Sequence, residues 1–391
     1  MESCASDESW RKSCAVLVSR TVAAVAMALL VAPARASAQD QPPSSQDSRE
    51  TSFSVVPGPF VNPNLGVGVT VYPLLEFHVS KDDSVSPPSV AMLPLMVAIR
   101  PPLSDASTRY SYALGGATKL FLDEDRWRLQ GLAGYASLYR QFRGISGDTS
   151  GTPEFDYREM VALAFVQVMR QLGWKPLYGG LIVGYLAYRD ETASPENQAI
   201  LDSLGTKADW SGQFNWGIAL EIDTKDNQYY PSSGVDLKLQ TYVSLNSGAE
   251  YVVLQPNFNQ FFSLSGGNRL ILAYQLFGQF GFGDVPLSYY ANYGSHGTTV
   301  GYSQGEFVDK MMAGLDVELR WLFWWRLGML AGAGIGKVFP SFDAFGPQPW
   351  LPSGWVGLLY QVMEKSDIRA NLTFAVGKSG PALYFGLGQT F

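Results

Sequence analysis

Hydrophobic and polar residues alternate along much of this chain with a period of two. Between Leu65 and Ser80, apolar side chains occupy the odd positions, whereas glycine, polar and charged residues fill most of the even ones. The same alternation recurs over 235–245, 315–323 and 368–376. A period of two places each set on one face of a β-strand, while a helix would scatter the charges of 315–323 around its circumference. The pattern therefore predicts β-strands.

The length of the predicted strands favours a membrane barrel over a soluble sandwich. Many segments run about ten residues or more, enough for a tilted strand to cross a membrane, whereas soluble strands average about 5–6. Tight turns are predicted near 122–125, 172–176, 223–234, 265–268, 324–326 and 364–367, and longer loops around 140–156, 190–208, 283–306 and 339–350. With hairpins at 52–79 and 90–121, we predict an all-β, transmembrane antiparallel β-barrel of about 16 strands, an even number as in bacterial barrels.

The N-terminus has the pattern of an export signal. Positive charge precedes an apolar stretch, Val22–Val31, that is too short to span a bilayer, since a membrane helix needs about 20 residues. The small residues 36–38 match a cleavage site. We therefore predict a signal peptide over 1–38, a flexible lead-in over 39–51, and an outer-membrane barrel over 52–391. The alternative, a buried helix of a cytosolic domain, is less favoured because a Pro/Ser-rich stretch follows.

Composition limits the chemistry. The formal net charge is −7 and lysine and arginine do not cluster, which argues against a nucleic-acid partner. Both cysteines, Cys4 and Cys14, lie in the predicted signal peptide, so the mature barrel is predicted to hold no disulfide and no Cys-zinc site. No metal-ligand spacing occurs, and neither a metal nor a cofactor is predicted.

Two segments, 221–234 (EIDTKDNQYYPSSG) and 300–310 (VGYSQGEFVDK), have distinctive sequences. The first resembles the Asp-x-Arg-Asp-Asn-x-x-x-Pro-x-x-Gly turn, and the second the Arg-Gly-Tyr-x-x-Gly-x-x-x-Asp loop, of the bacterial surface antigen family, the barrel domain of BamA/TamA-type assembly factors. Weaker likenesses lie at 120–128, 331–334 and 384–391. The resemblance covers 52–391 and implies a short form without POTRA modules, because the roughly 13 residues after the predicted signal cannot form a domain of about 40 or more.

The resemblance implies that residues 282–306, between strands 11 and 12, form the family's long plug-like loop six. The residues that match its motif are Val300, Gly301, Tyr302, Gly305 and Asp309. Val300 stands where the family has arginine, and Gly334 matches the acidic residue with which that arginine pairs. With both halves of the ion pair replaced, neither leaves a buried charge unpaired, and we expect the loop to sit less firmly in the lumen.

Further expectations concern the two faces of the barrel. Asp316, Glu318 and Arg320 should point into the lumen from one strand, either as a conduit or dock for loop six or, as we favour, as an ordinary ion network. Tryptophans near strand ends predict an aromatic girdle at the membrane interface; they are Trp324, Trp325, Trp350 and Trp355. The last strand is predicted to face lipid with Leu383, Phe385, Leu387 and Phe391, and the terminal Phe391 resembles a barrel-assembly signal.

Enzymatic chemistry is not favoured. Ser303 lies in a Gly-x-Ser-x-Gly pattern, but a nucleophile elbow needs a strand–turn–helix and a later histidine. The two histidines of the chain, His78 and His296, both precede Ser303. A pairing of these histidines in a phospholipase or protease has no further support, and we predict that the protein is not an enzyme.

The resemblance implies a role in the insertion or translocation of proteins or lipids at the bacterial outer membrane. The expected mechanism is a weak seam between the first strand, near Phe53–Val56, and the last, Leu383–Phe391, which opens to expose strand edges. The expected partners are outer-membrane lipid and client outer-membrane proteins or a periplasmic partner. The alternative is a passive outer-membrane pore, or a barrel that anchors a separate partner.

Overall fold

The computed structural model describes residues 51–62, 65–100, 108–145, 147, 153–206, 208–246, 249–294, 300–302, 305–378 and 380–388. The predicted signal peptide and nearly all of the lead-in lie outside these residues. The strands are β1 (Ser52–Asn62), β2 (Gly66–Phe77), β3 (Ser89–Met92), β4 (Leu95–Arg100), β5 (Arg109–Leu122), β6 (Trp127–Phe142), β7 (Phe155–Gln171), β8 (Leu177–Glu191), β9 (Ser211–Asp223), β10 (Gly234–Asn246), β11 (Ala249–Ser263), β12 (Leu270–Gly283), β13 (Ala291–Tyr293), β14 (Phe307–Asp309), β15 (Met311–Trp324), β16 (Leu327–Phe339), β17 (Leu351–Met363), β18 (Ile368–Gly377) and β19 (Gly380–Leu387).

The strands form a closed antiparallel barrel in which each strand pairs with its neighbours in sequence. β3 and β4 together make one spanning strand, because both pair with β2 on one side and β5 on the other. The break between them falls at Pro94, which lacks an N–H, and the carbonyl of Pro94 instead accepts from the amide of Gly115. β13 and β14 form a separate hairpin. The prediction of a 16-stranded barrel is therefore confirmed.

The two faces of the barrel follow the alternation in the sequence. On β15, Leu315, Val317 and Leu319 are 37–40% exposed on the outside. The intervening side chains of 316, 318 and 320 are buried inside the barrel, at 0–1% exposure. Successive side chains of a strand point to opposite faces, so the apolar set meets lipid and the polar set meets the lumen.

The connections alternate between the two ends of the barrel. We call the end with the β5–β6, β7–β8, β15–β16 and β17–β18 turns the turn end, and the end with the long β8–β9, β12–β15 and β16–β17 connections the loop end. The turn between β5 and β6 places Asp123, Glu124 and Asp125 in the left-handed region, with φ of 55°, 56° and 62°. The carboxylate of Asp83 accepts a hydrogen bond from the amide of Glu124, which ties the β2–β3 connection to this turn. The low pKa of Asp83 reflects that bond and those from Ser86 and Val85.

A short helix, α1 (Pro195–Ser203), covers part of the loop end between β8 and β9. Ser194 caps it by accepting a hydrogen bond from the amide of Asn197, and Pro195 fits the first turn, where no intrahelical N–H is needed. Leu201 is fully buried against aromatic side chains of β6 and β7. None of the helices in the described ranges is long and apolar enough to cross a membrane.

Candidate functional site

Loop six connects β12 to β15, and its described residues, 284–294, 300–302 and 305–310, fold into the lumen at the loop end. Its β13–β14 hairpin brings together residues from both ends of the loop, pairing Ala291 with Asp309 and Tyr293 with Phe307. The buried apolar cluster around the hairpin combines loop and wall residues: Phe277, Ala291, Tyr293, Tyr302, Phe307, Met312, Val338 and Leu351. The position expected from sequence, between the eleventh and twelfth spanning strands, is where the loop lies.

Tyr302 holds the loop against the last strands of the barrel. Its hydroxyl donates to the carbonyl oxygen of Pro352 at 2.5 Å. Its own carbonyl accepts from the hydroxyl of Tyr384 on β19 at 3.0 Å. Tyr293, which makes an edge-on ring contact with Tyr302, donates to the carbonyl of Leu351 at 3.0 Å. Buried hydroxyls are thus satisfied by backbone acceptors of the wall.

Glycines allow the loop backbone to approach the wall closely. Gly301 has φ +108°, a conformation that other residues rarely adopt. A Cβ added at Gly377 of β18 would overlap the carbonyl of Gly301. A Cβ at Gly336 of β16 would lie 2.5 Å from the ring of Tyr293. Side chains at either wall position would therefore push the loop inward.

Val300, which stands where the family has arginine, makes apolar contacts instead of an ion pair. It packs against the buried cluster that contains Tyr230, Leu330 and Trp355. Gly334, the position matched to the family's acidic residue, lies directly across from Asp316 on β15. A Cβ at Gly334 would overlap the Asp316 carboxylate, so an acidic group does occupy this part of the lumen, although it comes from the neighbouring strand.

The far side of loop six is attached to the opposite wall. Glu306 is buried and forms an ion pair with Arg143, just beyond β6, at 3.0 Å. The amide of Gly305 donates to the side-chain oxygen of Asn292 at 2.7 Å, which closes the loop on itself. Burial raises the pKa of Asp309 from 3.8 to about 6. The Glu306–Arg143 ion pair joins residues 163 positions apart, so no local sequence pattern could have indicated it.

Two of the three lumen residues of β15, Glu318 and Arg320, form a bonded network with Trp355. Arg320 Nε donates to Glu318 Oε1 at 2.7 Å, and the indole N–H of Trp355 donates to Glu318 Oε2 at 2.8 Å. The prediction that Trp355 belongs to the interfacial girdle is wrong: it is 4% exposed inside the barrel, and its ring lies over Gly332. Its neighbour Val356 occupies the lipid face instead.

The turn between β9 and β10, residues 224–233, folds back into the turn end of the lumen. The ring of Tyr230 lies between the guanidinium groups of Arg320 and Arg369, 5.5 and 4.5 Å from its centroid. Tyr229 donates to the carbonyl of Pro88 at 2.5 Å. Tyr230 of this turn and Val300 of loop six belong to one apolar cluster inside the barrel. The turn was predicted from the sequence, but its inward fold was not.

The seam between the first and last strands is the weakest junction of the described barrel. β1 and β2 pair continuously from Ser52 with Glu76 to Asn62 with Gly66. Within the described residues, β1 and β19 pair at one position, Val61 with Leu383. Backbone hydrogen bonds hold all other neighbours together along far more of their length.

The expected lipid face of β19 is wrong for Phe385 and Leu387. A Cβ added at Gly58 would overlap the Phe385 ring, and Leu387 packs against the buried cluster of Leu74 and Met363. Gly58 and Leu74 belong to the lumen-facing sets of β1 and β2. The end of β19 therefore lies inside the first two strands rather than edge to edge with β1.

Some predicted residues lie outside the described part of the chain. They are Ser303, His296 and Phe391, so the hydrolase alternative and the assembly signal remain predictions. Within the described ranges, no group of three or more histidine, cysteine or acidic residues is arranged to hold a metal ion.

Comparison with known proteins gives one family and a set of similar folds. Residues 108–336 match the Omp85 superfamily domain. Similar solved structures include BamA from Haemophilus ducreyi lacking POTRA domains 1–3 (12% identity, TM-score 0.52, covering 87% of this chain and 70% of that one). Others are CdiB from Acinetobacter baumannii (12%, 0.52, 87% and 59%) and CdiB from Escherichia coli (8%, 0.54, 86% and 62%). This chain thus spans 59–70% of their lengths. No curated protein matches.

Proposed function

This chain belongs to the Omp85 superfamily, and on that premise we propose that it inserts client proteins into the outer membrane by opening its seam sideways. The resemblance to BamA/TamA-type barrels is confirmed, and so is the bacterial outer-membrane location. Omp85-superfamily barrels act in insertion or translocation and are generally not enzymes.

The poor backbone pairing between β1 and β19 is the observation that favours lateral insertion over a passive pore. Among the described residues, the single paired position at Val61 and Leu383 leaves most of the β1 edge without backbone partners from β19. An edge strand with free N–H and C=O groups is a template for another strand, which can add to it by β-augmentation. A client strand would therefore gain hydrogen bonds at the seam for a small loss of existing ones.

The contents of the lumen support lateral opening over a wide passive pore. The described residues of loop six pack inside the loop end, and the turn over 224–233 packs inside the turn end, where Tyr230 belongs to the cluster that Val300 contacts. At the turn end a mixed-charge cavity of about 780 Å³ remains, with Arg128, Lys225 and Asp223 in its wall. We propose that this mouth faces the periplasm and first meets the client or a periplasmic partner.

Depletion of the protein in its native host should test the function. We expect several other outer-membrane barrels to fall together in quantitative outer-membrane proteomics, and plasmid-borne wild-type protein to restore them. An unchanged outer membrane after complete depletion would contradict insertion, and purified protein with steady single-channel conductance would then favour the passive pore.

A further inference from the structure

The direction of the β1 backbone explains why the seam is so poorly paired. The Thr70 hydroxyl of β2 donates to the carbonyl of Gly58 at 3.1 Å, so the backbone groups of Gly58 face β2. Neighbouring residues of a strand direct their backbone groups to opposite sides. Pro57 and Pro59 therefore face β19, where a proline offers no N–H.

The same reasoning applies to β19. The amide of Gly388, just beyond β19, donates to the carbonyl of Arg369 on β18 at 2.7 Å, so even-numbered residues of β19 face β18 and odd-numbered residues face β1. If the Val61–Leu383 register continued toward the turn end, Pro59 would face Phe385 and Pro57 would face Leu387. Pro381 also faces the seam. Within 381–387, Val61 with Leu383 is thus the position at which neither strand presents a proline.

Side-chain packing replaces the missing backbone bonds. The Phe385 ring occupies the space that a Gly58 side chain would need, and its centroid lies 6.2 Å from that of Tyr72. Leu387 extends the contact to Leu74 and the cluster beneath it. Burial of these apolar groups acts without the directional constraint of a hydrogen-bonded ladder.

We propose that the Phe385 side chain holds the seam closed, and that Pro57, Pro59 and Pro381 prevent β1 and β19 from forming a continuous hydrogen-bonded ladder. Opening then requires the Phe385 ring to leave the slot between Gly58 and Tyr72 and Leu387 to leave its cluster, while among the described residues a single backbone pair separates. Phe385 is a positioning residue in this scheme. Its role deepens the proposed function, since the opening it controls is the one that would admit a client strand.

Hydrogen–deuterium exchange of the full-length protein in lipid vesicles measures directly how firmly the Phe385 side chain holds the seam closed. Phe385→Ala should accelerate amide exchange in β19 by about 10- to 100-fold, because the contacts of a half-buried aromatic side chain are lost. Phe374→Ala is the matched control, since Phe374 faces lipid on the adjacent strand and should leave β19 unchanged. Gly58→Val, which occupies the slot from the β1 side, should reproduce the effect and replaces Phe385→Ala if that variant does not fold.

Restoring the missing donors should have the opposite effect. The double substitution Pro57→Thr and Pro59→Thr should slow exchange in β1 and β19, because the seam can then pair toward the turn end. A purely structural role for Phe385 would not predict this tightening. Equal exchange in wild type, Phe385→Ala and Gly58→Val, or no slowing in the double variant, would overturn the proposal. If amide exchange changes as expected but client levels in cells do not, the role of Phe385 at the seam is supported and the insertion function is contradicted.

Discussion

Replacing Gly377 with leucine should release loop six from the wall and turn a closed barrel into a conducting one. The Gly377 Cα lies against the carbonyl of Gly301, and a larger side chain cannot share that space. Overpacking costs about 1–3 kcal/mol, which shifts the ratio of docked to released loop by about 5- to 150-fold. The expected readout is a higher open fraction in planar-bilayer recordings.

Gly354→Leu is the matched control for this change. Gly354 lies on the adjacent strand β17, where the nearest heavy atom to an added Cβ is 3.8 Å away, so the substitution should leave conductance as in the wild type. Both variants must show the heat-modifiable migration of a folded barrel. A folded Gly377→Leu barrel with wild-type conductance would mean that the glycine contact does not hold loop six in place.

Replacing Trp355 with alanine should destabilise the barrel more than any other single truncation of a tryptophan in the described residues. The ring is buried, packs in the cluster where Val300 and Tyr230 meet, and donates a hydrogen bond to Glu318. Truncation of a buried tryptophan costs about 3–5 kcal/mol. The free energy of unfolding, from guanidinium titrations in lipid vesicles, should fall by that amount.

Trp324→Ala provides the comparison, because Trp324 is an outward-facing tryptophan at the turn end and is 66% exposed. It should cost far less than Trp355→Ala, and Trp355→Phe should lie between the two because it keeps most of the packing but loses the bond to Glu318. Equal losses from Trp355→Ala and Trp324→Ala would show that Trp355 does not support the lumen network.

Much of the barrel could be predicted because its environment repeats every two residues. Lipid on one side and a polar lumen on the other impose an alternation that is visible at 315–323 without any structure. The even strand count and the position of loop six followed from turns and loop lengths. These features depend on local composition, which one sequence records.

The errors arose where local alternation does not decide the outcome. Trp355 and Val356 are both apolar, so alternation alone does not show which of the two faces the lumen, and Trp355 was assigned to the wrong environment. Phe385 alternates as a lipid-facing residue would, but β19 ends inside β1 and β2. The Arg143–Glu306 ion pair and the inward turn at Tyr230 depend on long-range packing. The prolines at 57, 59 and 381 were a readable signal of an unpaired edge.

A reversible lock across the seam tests the central claim most directly. Val61 pairs with both Leu383 and Val67, so Val61→Cys/Leu383→Cys locks the seam and Val61→Cys/Val67→Cys locks an ordinary hairpin at the same residue. Facing residues of an antiparallel ladder lie about 4.5–5.5 Å apart, within the range that a disulfide spans. Both native cysteines precede the barrel.

Each variant would replace the depleted wild-type protein, and the abundance of other outer-membrane barrels would be measured with the disulfide oxidised and then reduced. We predict that the oxidised seam lock abolishes rescue, that reduction restores it, and that the hairpin lock rescues in both states. Full rescue by the oxidised seam lock would contradict lateral opening as the mechanism of this protein.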